Sequence, residues 1–239
     1  MSTARQTGER IAHWMAIREK SRLQVRLIQE ILKLSSIDGF VLGGAVALHR
    51  VYLNKRWSED LDFFAPKALS GQIIERLADR GHELRHRPQL IPAYEQPGIC
   101  FDTVGIGVDV SPQDDVRSEL RIFRGLAGEE LRLNVCPLHD IIADKLDCVM
   151  GRARATDFAD LWWSLEVCLS SVEEIRALQQ KRRRRDRFEA GIALRRLDEI
   201  SGAWHDDLAR FTMSVPDVLQ VKADLIRILP LFEGDPTCH

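Results

Sequence analysis

The sequence predicts a mixed α/β fold, in which a β-sheet flanked by helices is followed by a C-terminal helical part. Short apolar runs bounded by turn residues recur between about residues 40 and 136, as expected for strands. Beyond Pro137, apolar residues recur at the three- and four-residue spacing of helices nearly to the end of the chain. We therefore expect residues 1–136 to form an α/β domain with an N-terminal helix. Residues 137–239 are expected to form a helical domain packed against it.

The composition is typical of a soluble globular protein, with 239 residues, 45% hydrophobic and 29% charged. A formal net charge of −2 excludes a general attraction to nucleic acid, so any such contact needs a local basic patch. The five cysteines are scattered and lack paired metal-ligand spacing, which favours free thiols in a reducing compartment. No segment is apolar enough to serve as a signal peptide or to span a bilayer. We therefore expect a cytoplasmic protein that does not bind membranes.

The first third of the chain predicts a helix, a strand, a tight turn and a second helix. Apolar residues from Glu9 to Leu34 lie mostly at helical spacing. The apolar run Phe40 to Leu42 predicts a strand that ends at Gly43-Gly44, after which helical spacing resumes. Glycines at a strand-to-helix junction let backbone N–H groups approach an anion, although many such turns are only structural. No Gly-Lys-Ser/Thr follows, so the segment is not a Walker-type P-loop.

The middle of the chain predicts one more helix and a series of strands. A helix is expected from Leu69 to Arg80, and Gly81 ends it. The pattern then alternates, and the strand candidates are His82–Arg87, Cys100–Val104, Gly107–Val110, Arg121–Phe123 and Leu131–Val135.

The run Asp60-Leu61-Asp62-Phe63 contains the first candidate site residues. In a strand, Asp60 and Asp62 share one face while Leu61 and Phe63 take the other. Acidic residues are poor strand formers and are costly to bury, so a pair of them in a strand needs an explanation. One explanation is a hard cation such as Mg²⁺, which takes oxygen ligands beside phosphates. The alternative is a solvated strand face.

Another acidic residue alternates with apolar residues in a later strand candidate. In Val108-Asp109-Val110 the valines face one side and Asp109 the other, the same alternation of apolar and acidic residues. Asp102 is the rival candidate. If the run from Asp102 to Val110 were one continuous strand, Asp102 would share the apolar face with Val108. Strand parity therefore favours Asp109.

The helix that begins at Pro137 carries a lysine at the edge of its apolar stripe. Lys145 lies four residues after Ile141 and three after Ile142, both of which belong to that stripe. A lysine in this position often extends its ammonium group to solvent. The same position would equally suit a lysine that contacts a ligand.

The segments around these residues resemble the signature of the AbiEii/AbiGii toxin family, within the DNA polymerase β-like nucleotidyltransferase superfamily. In that family a Gly-Gly or Gly-Ser turn is followed by an Arg-x-Ser-x-Asp-x-Asp strand. The corresponding residues here are Gly43, Gly44, Arg56, Ser58, Asp60 and Asp62. The family then has a lysine in a later helix, matched by Lys145, and an Arg-Asp-x-x-Asp-Leu helix, matched at Asp157 and Asp160. The resemblance extends from about Phe40 to Leu165.

The resemblance implies a nucleotidyltransferase-like sheet and the transfer of a nucleoside monophosphate from an NTP to an acceptor hydroxyl. It implies two Mg²⁺ ions held by Asp60, Asp62 and Asp109. It implies phosphate contacts from the turn at Gly43 and Gly44 and from Arg56, Ser58 and Lys145. Asp157 would belong to the catalytic set, or would only complement the dipole of its helix from the first turn. Asp160 would be structural.

The same resemblance implies an RNA acceptor such as a tRNA end, and a separately encoded antitoxin as partner. A small-molecule nucleotidyltransferase of the aminoglycoside-modifying kind is the enzymatic alternative. The non-enzymatic alternative is a catalytically inactive descendant that binds a protein or RNA. Two departures from the family pattern keep that last alternative open, namely Ala45 in place of a hydroxyl residue and Thr156 in place of arginine. Retention of the three carboxylates and Lys145 argues for an enzyme.

Overall fold

The computed structural model describes residues 2–34, 39–66, 69, 72–86, 99–113, 116–182 and 188–233. Through its internal contacts the chain divides into two compact units. The first consists of Met1–Tyr52 and Trp57–Cys136, and the second of Leu53–Arg56 and Pro137–His239. The short segment Leu53–Arg56 thus belongs with the C-terminal residues rather than with its neighbours in the sequence.

The first unit begins with a single long helix, α1, from Ser2 to Leu34. It starts earlier than the predicted helix, which began at Glu9. Its C-terminal half is buried along one side through residues such as Ile28 and Ile31, both 0% exposed. Residues 8–16 are largely exposed, with Ile11 at 58%. Burial of an apolar stripe therefore stabilises the helix from Ile17 onward.

The first unit also contains a seven-stranded mixed sheet, which confirms the predicted α/β fold. The strands are β1 (Val41–Leu42), β2 (Leu61–Ala65), β3 (Arg85–His86), β4 (Ile99–Thr103), β5 (Ile106–Pro112), β6 (Glu119–Arg124) and β7 (Glu130–Val135). Their order is β3-β4-β5-β2-β1-β7-β6. The pairs β1–β7 and β2–β5 are parallel, and the other four pairs are antiparallel.

Two shorter helical segments complete the first unit. Helix α2 spans Gly44–Ala47 and continues as a π-helix from Leu48 to Leu53, whose last residue already belongs to the second unit. The π-helix contains the buried Arg50, whose Nε donates to the carbonyl oxygen of Arg124 at 2.7 Å. Helix α3 spans Ile73–Asp79 and is shorter than predicted, although residues 70 and 71 lie outside the described residues.

The second unit is helical in the part that the structure describes. Its helices are α4 (Leu138–Gly151), α5 (Ala155–Trp163), α6 (Leu165–Ser170), α7 (Val172–Arg182), α8 (Ala190–Ile200), α9 (Trp204–Ala209) and α10 (Val218–Ile228). They share one apolar core, in which Ile142, Leu146 and Phe158 are 0% exposed. Within the described ranges, none of the helices of the chain combines the length and the apolar composition needed to cross a membrane.

The burial pattern of α1 predicts that its buried residues stabilise the fold and that its exposed ones do not. Ile28→Ala removes a fully buried side chain, and we expect it to lower the free energy of unfolding by about 2–5 kcal/mol. Ile11→Ala removes the same atoms from an exposed position and should change that free energy by no more than about 0.5 kcal/mol. Urea unfolding of both variants checks the difference. Equal losses would contradict the assignment of Ile28 to the core.

Candidate active site

The turn that follows β1 lies directly against the strand that carries the first aspartates. The backbone N–H of Gly43 donates to the carbonyl oxygen of Asp62 at 2.8 Å and is therefore used within the protein. Gly44 has a φ of +60°, in the left-handed region that favours glycine. A Cβ atom at position 44 would lie 1.8 Å from Oδ2 of Asp62. The turn therefore leaves no room for a side chain at position 44.

Asp62 and Asp109 are brought together by the pairing of their strands. They are direct partners in the parallel register of β2 and β5, so their side chains lie on the same face of the sheet. Their neighbours Leu61, Val108 and Val110 are 0% exposed and form the opposite, apolar face. Both aspartates are half-buried. Two carboxylates from neighbouring strands thus lie side by side, beginning about 5 Å apart at the backbone.

Asp60 and Ser58 lie just before β2, in a segment without regular secondary structure. Asp60 is half-buried. Across the described residues, no group of three or more His, Cys, Asp or Glu side chains is arranged so that it could hold a metal ion. The structure therefore places Asp62 beside Asp109 but does not assemble the three predicted carboxylates into a ready-made metal site.

The chemistry of the two paired carboxylates nevertheless suits Mg²⁺. This ion is commonly bound through one or two protein carboxylates, while water and substrate phosphates complete its octahedral shell. Asp62 and Asp109 would supply two such ligands from neighbouring strands. The residues present therefore fit a divalent ion that binds together with a nucleotide, rather than one enclosed by protein ligands alone.

Asp102 lies on the same face as Asp109, so the parity argument that placed it among apolar residues is wrong. That argument assumed one continuous strand, whereas Val104 and Gly105 have φ values of +47° and +75° and form a tight turn between β4 and β5. Because the chain reverses there, Asp102 pairs with Gly107, two residues before Asp109. Gly105, which lies between the strand candidates Cys100–Val104 and Gly107–Val110, was the signal for this hairpin.

Lys145 is buried in the second unit, where it contacts two carboxylates. It lies on α4 and is 4% exposed. Its Nζ lies 2.9 Å from Oδ1 of Asp157 and 2.7 Å from Oδ2 of Asp160. Both aspartates lie on α5 and are 0% exposed. The ammonium group therefore does not extend to solvent, and the interpretation of Lys145 as a solvent-directed lysine is wrong.

Two arginines, the buried Arg56 and the exposed Arg152, also belong to this ionic network. Arg56 donates from Nε and from a terminal nitrogen to the two oxygens of Asp160, at 2.7 and 2.8 Å. Arg152 donates in the same bidentate way to Asp157, with both distances 2.9 Å. Such paired bonds are strong and hold both groups in a defined orientation. The contact of Arg56 with substrate stays a prediction, because in this structure its guanidinium binds Asp160.

Arg152 also supplies the charge that the family pattern places at position 156. Here Thr156 occupies that position, and Arg152 reaches Asp157 from the end of the preceding helix. The sequence analysis assigned no role to Arg152, and it did not connect Arg56 with Asp160, which lies 104 residues later. Patterns of neighbouring residues in a sequence do not indicate a pairing between residues so far apart. The residue types, arginine and aspartate, were the only signal that the sequence contained.

The network changes the pKa values of its members. Burial alone would raise the pKa of Asp157, but the positive charge of Lys145 and the hydrogen bonds from Arg152 lower it from 3.8 to about 2. Burial would lower the pKa of Lys145, but the charges of Asp160 and Asp157 outweigh it and raise that pKa. Burial, followed by the charge of Asp157, raises the pKa of the Cys148 thiol to about 12. Lys145 is therefore a permanent cation and Cys148 is an unreactive thiol.

The close approach of Gly44 to Asp62 predicts a specific effect of Gly44→Ala. The added methyl group would displace the Asp62 carboxylate, so we expect the variant to lose the nucleotide transfer that the family resemblance implies. Gly128→Ala is the matched control, because Gly128 also has a positive φ, +94°, but no atom lies within 4 Å of its Cβ position. In that variant the strain of an alanine in the left-handed region should lower the free energy of unfolding by about 1–2 kcal/mol. Its activity should be unchanged. Similar activity in both variants would contradict the steric argument.

The lowered pKa of Asp157 predicts a pH-dependent contribution to stability. Because the folded-state pKa lies below the ordinary value of 3.8, the contribution is present above about pH 4 and is lost as the pH falls through about 2. We expect Asp157→Asn to lower the free energy of unfolding by about 2 kcal/mol or more near neutral pH. This gap from the wild type should narrow as the pH falls from about 4 toward 2, as measured by urea unfolding.

The control for this experiment is Asp198→Asn, which removes an exposed partner of Lys222 in the same unit. Exposed ion pairs contribute little, so we expect little change in stability at any pH. A gap between the wild type and Asp157→Asn that does not depend on pH would contradict the role of the ionised carboxylate.

Solved structures with a similar fold include a nucleotidyltransferase toxin. MenT4 from Mycobacterium tuberculosis gives a TM-score of 0.61 at 19% identity, covering 89% of this chain and 82% of that one. JHP933 from Helicobacter pylori gives 0.42 at 19% identity, covering 90% and 92%. ANT(2'')-Ia in complex with adenylyl-2''-tobramycin gives 0.47 at 18% identity, covering 67% and 97%. The MenT4 match supports a nucleotidyltransferase fold. No curated protein sequence matches the chain.

A family profile matches most of the sequence. The profile described as nucleotidyl transferase AbiEii toxin, type IV TA system, matches residues 26–227. This range contains the glycine turn, the paired carboxylates and the buried ionic network, and it confirms the resemblance found in the sequence. The protein is therefore an enzyme of nucleotidyl transfer. It belongs to the AbiEii nucleotidyltransferase toxin family of type IV toxin–antitoxin systems.

Proposed function

We propose that this protein transfers a nucleoside monophosphate from an NTP to a hydroxyl group of an RNA acceptor in a Mg²⁺-dependent reaction. The observation that supports this most is the register of β2 and β5, which sets Asp62 beside Asp109. The left-handed turn at Gly44 lies against the same carboxylate. Phosphate-binding backbone and metal-binding oxygens are the two elements that an NTP requires.

Binding of the triphosphate is assigned to the turn and to the residues before β2. Gly44 has no side chain of its own, so its backbone can approach a phosphate closely. The Ser58 hydroxyl would donate a further hydrogen bond. When bound, Mg²⁺ would be held by Asp60, Asp62 and Asp109 and would supply positive charge to the phosphate oxygens. The ion count, two by resemblance, belongs to the proposal.

The chemical step is an in-line substitution at the α-phosphorus. The acceptor oxygen forms a bond to that phosphorus while the bond to the oxygen that bridges the α- and β-phosphorus atoms breaks, and pyrophosphate leaves. Asp109 would take the proton of the acceptor hydroxyl. Lys145, held as a cation by Asp157 and Asp160, would neutralise charge on the departing pyrophosphate. Asp157 would thus serve catalysis through the lysine.

The acceptor and the partner are proposed from the family. Membership of a toxin–antitoxin family supports a separately encoded antitoxin as partner and a cytoplasmic site of action. An RNA acceptor is supported by the resemblance and by the run Lys181-Arg182-Arg183-Arg184-Arg185, which could contact phosphates independently of sequence. Residues 183–187 of this region lie outside the described residues, so the run is considered only as sequence.

The proposal predicts transfer that depends on the paired carboxylates. Purified protein is incubated with Mg²⁺, each labelled NTP in turn, and either total tRNA or a panel of small hydroxylated acceptors including aminoglycosides. We expect label on tRNA, and we expect Asp62→Asn and Asp109→Asn to reduce it about a hundredfold or more because each removes a metal-binding charge. Label on a small acceptor instead would replace the RNA proposal with the small-molecule alternative.

The matched control is Asp102→Asn, which changes the same residue type on the same face of the sheet. Asp102 pairs with Gly107 and not with Asp109 or Asp62, so we expect a smaller loss than in Asp109→Asn. A larger loss in Asp102→Asn would make Asp102 the third carboxylate. No transfer to any acceptor, together with no NTP-dependent rise in thermal stability, would overturn the proposed enzyme activity.

A further inference from the structure

A buried glutamine on α1 binds the backbone just before the first aspartate. Gln24 is 1% exposed, and a buried amide is unfavourable unless its hydrogen bonds are made. Its Nε2 donates to the carbonyl oxygens of Ser58 at 2.9 Å and Glu59 at 2.8 Å. Both N–H bonds of the amide are therefore used. Since both partners are acceptors, the nitrogen and not the oxygen of this amide must face them.

The two acceptors are consecutive carbonyl groups, and this arrangement defines the shape of the chain. In an extended strand, successive carbonyls point to opposite edges, so a single nitrogen reaches both only where the chain bends. Residues 54–60 belong to no helix or strand, so no sheet ladder fixes this bend. The amide of Gln24 thus holds the backbone immediately before Asp60.

Two other side chains of α1 make contacts nearby, but they are poorer candidates for holding the backbone before Asp60. Lys20 pairs with Glu59 at 3.1 Å, but both side chains are more than 40% exposed, and such a pair contributes little. Ser21 is as buried as Gln24, but it accepts from the N–H of Leu126, in the loop between β6 and β7. Gln24 also lies outside residues 26–227, the part of the chain that matches the family.

We propose that Gln24 is a positioning residue for the transfer reaction, because its amide holds the Ser58 and Glu59 carbonyls so that Asp60 and Ser58 are presented to the metal and the triphosphate. This inference rests on the proposed function. It adds to the site a residue from α1 that the family signature does not contain. Gln24 acts through the backbone and does not itself touch substrate.

The test compares Gln24→Met with Ser21→Ala in the full chain. Methionine preserves the length of glutamine but donates no hydrogen bond, whereas Ser21→Ala removes a buried hydrogen bond from the same helix at another place. For each variant we measure thermal stability, the Mg²⁺ dependence of transfer, and the affinity for Mn²⁺ in the presence of a non-hydrolysable NTP analogue by titration calorimetry. The last measurement requires no turnover.

We expect Gln24→Met to weaken Mn²⁺ affinity and to lower kcat about tenfold or more, because residues that orient metal ligands typically have effects of this size. Ser21→Ala should lose stability while its Mn²⁺ affinity stays unchanged. If Gln24→Met does not fold, Gln24→Asn, which keeps an amide on a shorter side chain, takes its place and should show a milder change in the same direction. Equal Mn²⁺ affinity in the wild type and the Gln24 variant would overturn the inference.

The same experiment separates this inference from the proposed function. If the wild type binds Mn²⁺ with the analogue but transfers no nucleotide to any acceptor, the proposed reaction fails while the effect of Gln24 on metal affinity is still decided. If the wild type binds no Mn²⁺ with the analogue, the carboxylates are not a metal site and both proposals are overturned. If transfer and binding are normal in both Gln24→Met and the wild type, only the role of Gln24 fails.

Discussion

The contact between the Gly44 backbone and the Asp62 carboxylate constrains the whole candidate site in the first unit. A Cβ at position 44 would overlap Oδ2 of Asp62, so the turn and the carboxylate can approach each other only while residue 44 is glycine. The N–H of Gly43 binds the carbonyl of the same aspartate, and the parallel register then sets Asp109 beside it. One steric condition thus links a turn and two strands.

The second unit is organised by charge instead. Arg56, Lys145, Asp157 and Asp160 are buried, and Arg152 joins them from an exposed position. Each carboxylate binds an arginine in bidentate fashion, and both contact Lys145. Burying these groups is costly, and complete pairing offsets that cost. Well-packed apolar residues of similar volume can often replace such a buried ion pair at no cost in stability. Keeping a cation fixed in place is a function that apolar residues cannot perform.

Much of the fold could be predicted because its signals are local. Apolar periodicity located α1 and the helices after Pro137, and alternation located the strands with Asp62 and Asp109. What could not be predicted depended on the path of the chain. The hairpin at Val104 and Gly105 reversed the face of Asp102, although its two-residue turn was visible in the sequence. The bond from Gln24 to the Ser58 carbonyl and the pairing of Arg56 with Asp160 join residues far apart in sequence, and no periodicity reports such pairs.

The assignment of Leu53–Arg56 to the second unit determines how the protein can be dissected. A fragment cut at Pro137, the boundary that the sequence suggests, would separate Asp160 from Arg56. The isolated helices would then contain a buried carboxylate without its bidentate partner, and Thr212 would lose the Lys55 carbonyl to which its hydroxyl donates. The helical unit is therefore discontinuous in sequence. Expressing it alone requires that the tetrapeptide Leu-Asn-Lys-Arg be restored, for example through a circularly permuted chain.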